Sequence, residues 1–317
     1  MKKQFVAVLG ATIFLMGASI LMGAQSQPPT QTTPPKTAAK QPQAKTQQEY
    51  DAFKKLEGEP DIAKKALAGE QFIKDYPNSE LIGPYATPLL VDAYQRLNNF
   101  QKVVEYGEKA LLANPPQQTV LFIYQAIVVA YQQLNNYEKT VEWAEKFLTA
   151  DHNNTFALYM LATVIPERIK DDDLDRQQKL DHTTDYAKKL LEVTNTMQKP
   201  ATITEDQWKM QRAQLQGGAY SALGFVALHK KNYDEAISEY KKSLEVYPKD
   251  GIAYYRLGLA YSFAKKNDEA LKALATSVAL NGPAQARSYL EQLYKAKNNG
   301  SLDGLDKVIS EAASGVK

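Results

Sequence analysis

Apolar side chains recur along this chain three and four positions apart, the period of a helix that buries one stripe. Tyr254, Leu257, Gly258 and Tyr261 stand at i, i+3, i+4 and i+7, and Ala270, Leu274, Ser277 and Val278 form a similar stripe beyond the polar residues 265–268. Two stripes joined by a short polar turn predict an antiparallel helical hairpin. Gly258 and Ala270 are small where two backbones must approach, and Pro283 ends the second helix. One such hairpin leaves an apolar face uncovered, so copies must stack.

The chain does repeat itself. Residues 94–115 read YQRLNNFQKVVEYGEKALLANP, and 37 positions later residues 131–148 read YQQLNNYEKTVEWAEKFL, while Lys231-Asn232-Tyr233 writes the same turn again. Tyr220, Leu223, Gly224, Ala236, Tyr240, Ser243, Leu244 and Pro248 return 34 residues on as Tyr254, Leu257, Gly258, Ala270, Leu274, Ser277, Val278 and, one place late, Pro283.

This period and alphabet resemble the tetratricopeptide (TPR) repeat, whose aromatic, Leu-Gly, Tyr signature stands here as Tyr254-Tyr-Arg-Leu257-Gly258-Leu-Ala-Tyr261. Tyr takes the place of the usual Trp, and the preceding copy has Ala227 at the second aromatic position. The resemblance is specific over 217–283, looser over 84–150 and faint elsewhere. It predicts an all-α fold, a TPR-like solenoid of roughly five to six stacked antiparallel hairpins over 49–317. The copies are a degenerate repeat at 49–80, repeats at 84–117 and 121–154, an interrupted one at 155–199, repeats at 217–250 and 251–284, and a capping helix pair at 285–317. Residues 117–119 are read as a connection, 166–181 as an insertion, and Gly217-Gly218 as the opening of a helix.

Upstream of residue 49 the pattern changes. Lys2 and Lys3 precede an uncharged apolar run at 5–24, with small residues Ala24 and Ser26 behind it. Residues 1–26 therefore read as a secretory signal peptide cleaved after Ser26, or, since the run is long enough to span a bilayer, as a retained N-terminal anchor. Residues 27–48, rich in Pro, Gln and Thr, read as a disordered linker that cannot repay the entropy of ordering. Both readings place the folded part outside the cytoplasm of a bacterium, in the periplasm or cell envelope. The chain has no cysteine, hence neither a disulfide framework nor a lipid-bearing cysteine.

Charge and chemistry narrow the functional classes. The formal net charge is +2, and Lys2 and Lys3 lie in the N-terminal segment, so the rest offers no basic field for nucleic acid. Membrane contact is expected only through residues 5–24, if these are uncleaved. His152, His182 and His229 have no second ligand at metal spacing. Asp171, Asp173 and Asp175 fit the start of a calcium loop, but Arg176 stands where a glycine must turn the chain and His182 where a bidentate Glu is needed. No catalytic constellation, cofactor motif or metal set is expected, and Trp143, which replaces Tyr106 of the twin phrase, reads as core.

The surplus information sits on the first helices of the hairpins. Ile252, Tyr255, Leu259 and Phe263 form a second apolar stripe on a helix already apolar on one side, and Phe225 and Leu228, then Phe122, Gln125 and Val129, hold corresponding places earlier. The resemblance implies that first helices line a concave face, so these residues are expected to hold a peptide or helix of a protein partner; the alternative is packing between repeats. Recognition of a terminal carboxylate is disfavoured, because the inward places carry Asp92, Val129, Phe225 and Leu259. The expected function is a non-catalytic interaction scaffold of the cell envelope. The alternatives are an inner-membrane-tethered scaffold in envelope assembly or secretion, and an enzyme or enzyme-regulatory subunit using the 166–181 insertion.

Overall fold

The computed structural model describes residues 42–316, so the expected signal or anchor at 1–26 and most of the linker lie outside the described residues. Those residues form α-helices, one π-helical turn and one 3-10 turn, with no strand among them. They divide into two compact units whose boundary follows Ala157.

The N-terminal unit runs through α1 (Gln47–Gly58), α2 (Ile62–Asp75), a π-helical turn (Ile82–Ala86), α3 (Thr87–Arg96), α4 (Phe100–Leu112), α5 (Gln117–Gln133) and α6 (Tyr137–Ala150). Each helix packs on the next. Leu90, Val91, Ala93, Val103, Ala126 and Ala130 form the centre of its core, and the rings of Tyr94 and Tyr106 stack beside it at 5.7 Å. Tyr106 donates its hydroxyl hydrogen to Glu70 Oε1 at 2.8 Å, tying α4 to α2. Residues 117–119, expected as a connection, are instead the first turn of α5. Pro116 holds the extended conformation that precedes a helix, and Gln117 Nε2 donates to the Ala150 carbonyl at 3.1 Å.

α7 (Thr155–Val164) carries the boundary. The C-terminal unit continues through a 3-10 turn (Pro166–Arg168), α8 (Arg176–Thr196), α9 (Glu205–His229), α10 (Tyr233–Val246), α11 (Gly251–Phe263), α12 (Asn267–Ala279), α13 (Ala284–Lys297) and α14 (Leu305–Ser314). Gly224 and Gly258 sit where the repeat predicts close approach: a Cβ at Gly224 would lie 2.9 Å from the Tyr240 ring, and one at Gly258 2.7 Å from Leu274 Cγ. Two buried serines 34 residues apart also do the same work, Ser243 donating to the Gly217 carbonyl at 2.8 Å and Ser277 to that of Gly251 at 2.7 Å. Leu290 of α13 and Leu305 of α14 are buried against Leu274, which covers the end of the stack as expected.

Two expectations are corrected in this unit. Gly217-Gly218 does not open a helix, because α9 begins at Glu205 with a capping box between Thr204 and Gln207. Its first half is anchored by buried Trp208 and by Arg212, which donates to the Thr194 carbonyl of α8 at 3.1 Å. The interruption is also shorter than 166–181, since α8 starts at Arg176.

Four of the hairpin turns share one geometry. The amides of Asn99, Asn136, Asn232 and Lys266 each bond back to the carbonyl five residues earlier, at 2.8–2.9 Å. The residue before each has positive φ: 54° at Asn98 and Asn135, 63° at Lys231 and 62° at Lys265. This is a helix C-terminus closed by a left-handed residue. In the Asn-Asn turns the second Asn then caps the next helix, accepting from the amides of Lys102 and Lys139.

Candidate binding face

The structure distributes the expected face residues over both units. In the N-terminal unit Phe122, Gln125 and Val129 of α5 are half-buried, Phe122 against the α2–α5 core. In the C-terminal unit Leu228 and Tyr255 are each 7% exposed and belong to core clusters, Leu228 with Tyr240 and Leu257, Tyr255 with Leu271 and Leu274. Burial pushes the Tyr255 phenol up to about 12. Phe263 of α11 stacks on Tyr233 of the preceding hairpin's α10 at 5.6 Å. Ile252 and Phe225 remain half-buried, as does Leu259, which packs in part against the cluster of Tyr255 and Leu274.

Between α9 and α11 the chain places a group that the apolar pattern does not announce. Arg256 of α11 lies with its guanidinium carbon 5.1 Å from the centre of the Phe225 ring, and its side chain is 17% exposed. One terminal nitrogen donates to Ser221 Oγ at 3.3 Å and the other to Glu167 Oε1. Burial holds this guanidinium down at about 10. Glu167 comes from the 3-10 turn, which is fixed by buried Ile165, Pro166 and Ile169.

The surroundings are polar and withdrawn. Tyr159 of α7 presses so closely on α9 that a Cβ at Gly218 would meet its ring at 2.3 Å. Its phenol is pushed up to about 12 by burial and by the charge of Asp250. Asp250 caps α11, accepting from the amides of Ile252 and Ala253 at 2.9 and 3.0 Å, and burial raises its carboxyl despite those bonds. Arg256 is thus a cation held over an aromatic ring with a single carboxylate partner.

The other candidate chemistry is dispersed. Asp171 and Asp172 are exposed, while Asp173 and Asp175 both pair with Lys179, at 2.8 and 2.9 Å. Among the described residues no three His, Asp or Glu converge on a metal position, and no helix is long and apolar enough to cross a membrane. Two open surface depressions, of about 500 and 710 Å³, lie at the α9–α10 turn and beside α1, and neither gathers the expected face residues.

Comparison with known proteins agrees with this architecture. Residues 215–282 match the family model for the tetratricopeptide repeat. No curated protein matches the chain in sequence. Among solved structures, a tetratricopeptide repeat protein from Parabacteroides merdae is similar with a TM-score of 0.53 at 16% identity, over 85% of this chain and 98% of that one. YrrB, described as a TPR protein with an unusual peptide-binding site, is similar with a TM-score of 0.46 at 17% identity, over 72% and 99%. MamA gives 0.44 at 19%, over 61% and 94%. The first of these likenesses shows the fold: all-α, of the TPR-like type.

Proposed function

We propose that this protein is a non-catalytic scaffold of the bacterial cell envelope that holds a segment of a partner protein on the first-helix face of its C-terminal unit. One observation carries the reading. α11 uses Leu257, Gly258 and Tyr261 to pack its own hairpin, yet keeps Ile252 and Leu259 half-buried, with Phe225 of α9 beside the side chain of Arg256. A helix apolar beyond what its hairpin requires has surface for a second contact. The envelope location is supported by the signal-like residues 1–26.

The test replaces face residues that the core does not need. Phe225→Asp with Ile252→Asp should leave helical content intact by circular dichroism and reduce capture of envelope proteins at least about tenfold, since a charge at an apolar contact centre removes most of its binding energy. Tyr255 is unsuitable for this purpose, being part of the core. An unchanged set of captured proteins sinks the assignment.

A further inference from the structure

Comparison of the repeats singles out Arg256. Aligned on the carbonyl that closes each of the four turns, its place is half-buried Leu89 in α3 and buried Ala126 in α5 and Ala222 in α9, none of them charged. In α5 and α9 the packing is satisfied there by a methyl group, and in α3 by an aliphatic side chain. Arg256 is the single charged side chain of α11, and withdrawing a guanidinium from water is costly unless it is paired. The repeat supplies Ser221 and Phe225, both uncharged. The counter-charge comes from outside the repeat, 89 residues away in sequence, from Glu167.

Glu167 is unevenly held. Its neighbours Ile165, Pro166 and Ile169 are buried, Ile169 with Leu180 and Val226. Its own side chain is 31% exposed, so one side of the ion pair faces solvent. The carboxylate can turn outward about its side-chain bonds while the backbone of the turn stays anchored. What it leaves behind is a cation lying over an aromatic ring, with half-buried Ile252 and Leu259 on the same helix.

We propose that Arg256 is the recognition group of this face, that it takes a side-chain carboxylate from an acidic, aliphatic-flanked segment of the partner, and that Glu167 is a built-in occupant which this carboxylate replaces. The proposal rests on the α9–α11 face being the partner-binding surface. Exchanging one carboxylate for another leaves the charge balance of the buried guanidinium unchanged, so the charge alone gives a partner no advantage. The gain must come from its apolar residues on Phe225, Ile252 and Leu259. Glu167 therefore acts as a threshold: a free acidic group does not displace it, and a purely apolar segment leaves it in place.

The experiment uses the full chain and arrays of C-terminally amidated dodecapeptides of Leu and Val combined with Glu and Asp, with Lys, or with Ser and Asn. Wild type, Glu167→Gln, Glu167→Asp and Glu167→Gln/Arg256→Met are compared, each checked for helical content and thermal unfolding. Acidic peptides should bind Glu167→Gln at least about tenfold more tightly than wild type, Glu167→Asp in between, and the double variant no better than neutral peptides do. Glu167→Asp keeps the charge with a shorter reach, so it carries the test if the Gln variant fails to fold. Equal binding across the three compositions, or affinity in both Glu167 variants no higher than in wild type, overturns the proposal and leaves a structural ion pair. Acidic peptides that bind only with a free C-terminus overturn the side-chain assignment. The broader reading fails differently: no peptide class binds any variant, or binding ignores Phe225→Asp with Ile252→Asp.

Discussion

Single residues decide how cleanly the hairpins turn. Lys231 and Lys265 occupy the left-handed region, where an ordinary side chain costs about 1–2 kcal/mol, whereas the short polar side chain of Asn98 or Asn135 tolerates it. Lys265→Gly should therefore raise stability by about 0.5–1 kcal/mol in chemical denaturation, after the entropy glycine adds to the unfolded chain, and Asn98→Gly by less. The reverse order would refute this account of the turns. The Tyr240 hydroxyl is buried without a hydrogen-bond partner among the described residues. Tyr240→Phe removes an unpaired polar group and keeps the ring against Gly224, so it should be neutral or stabilising by about 1 kcal/mol.

His229 adds a pH dependence at the same scale. Its ring lies 4.4 Å from that of Phe225, and burial, then the charge of Arg176, hold its pKa below the ordinary value of 6.5. As pH falls through that value the unfolded chain takes up the proton before the folded one, so this contribution to stability is full above it and is lost towards the lower folded pKa. Denaturation midpoints should fall between pH 7.5 and 5.5, and the fall should be shallower in His229→Gln. A slope unchanged by the substitution would assign the dependence to other groups.

At the scale of elements, legibility follows how local the determining interactions are. α11 and α12 were readable because their core stripes, the approach of Gly258 to Leu274 and the closing turn lie within one repeat length. The first half of α9 was not, because its apolar content is little more than Trp208, Met210 and Leu215, and it is held by α8 through Arg212 and Gln216 rather than by its own stripe. Its start was nonetheless spelled, by Thr204 and Gln207 three apart. Thr204→Ala should cost about 1 kcal/mol and speed amide exchange at residues 205–212 with little effect on α11. Arg256 escaped for a related reason. An arginine on a helix reads as solvated unless its partner is known, and its partner lies in a segment with no repeat to align it. The apolar stripe does not separate half-buried Phe225, Ile252 and Leu259 from buried Leu228 and Tyr255, because burial depends on which neighbouring helix covers each.

For the whole molecule, the proposed export makes reach and location depend on residues 1–46 rather than on the helices; Gln47 and Gln48, expected in the linker, are already the first residues of α1. No described helix is long and apolar enough to cross a membrane, so any anchoring by a transmembrane helix within residues 1–316 falls to the uncharged run at 5–24. A signal peptide releases the binding unit to diffuse through the periplasm. A retained anchor confines it to the membrane at a distance set by the Pro/Gln/Thr-rich linker, which raises its effective concentration for membrane-bound partners and lowers it for all others. Small residues at Ala24 and Ser26 favour cleavage, and the length of the run favours retention. With the full chain produced in a bacterium and a reporter that is active only after export fused behind Lys317, both forms should give activity, and an inactive reporter sinks export altogether. The intact mass then separates the two. A mature chain beginning at Gln27 and recovered in the soluble periplasmic fraction gives the released scaffold. An uncut chain in the membrane fraction, freed by a protease site placed in the linker, gives the tethered one.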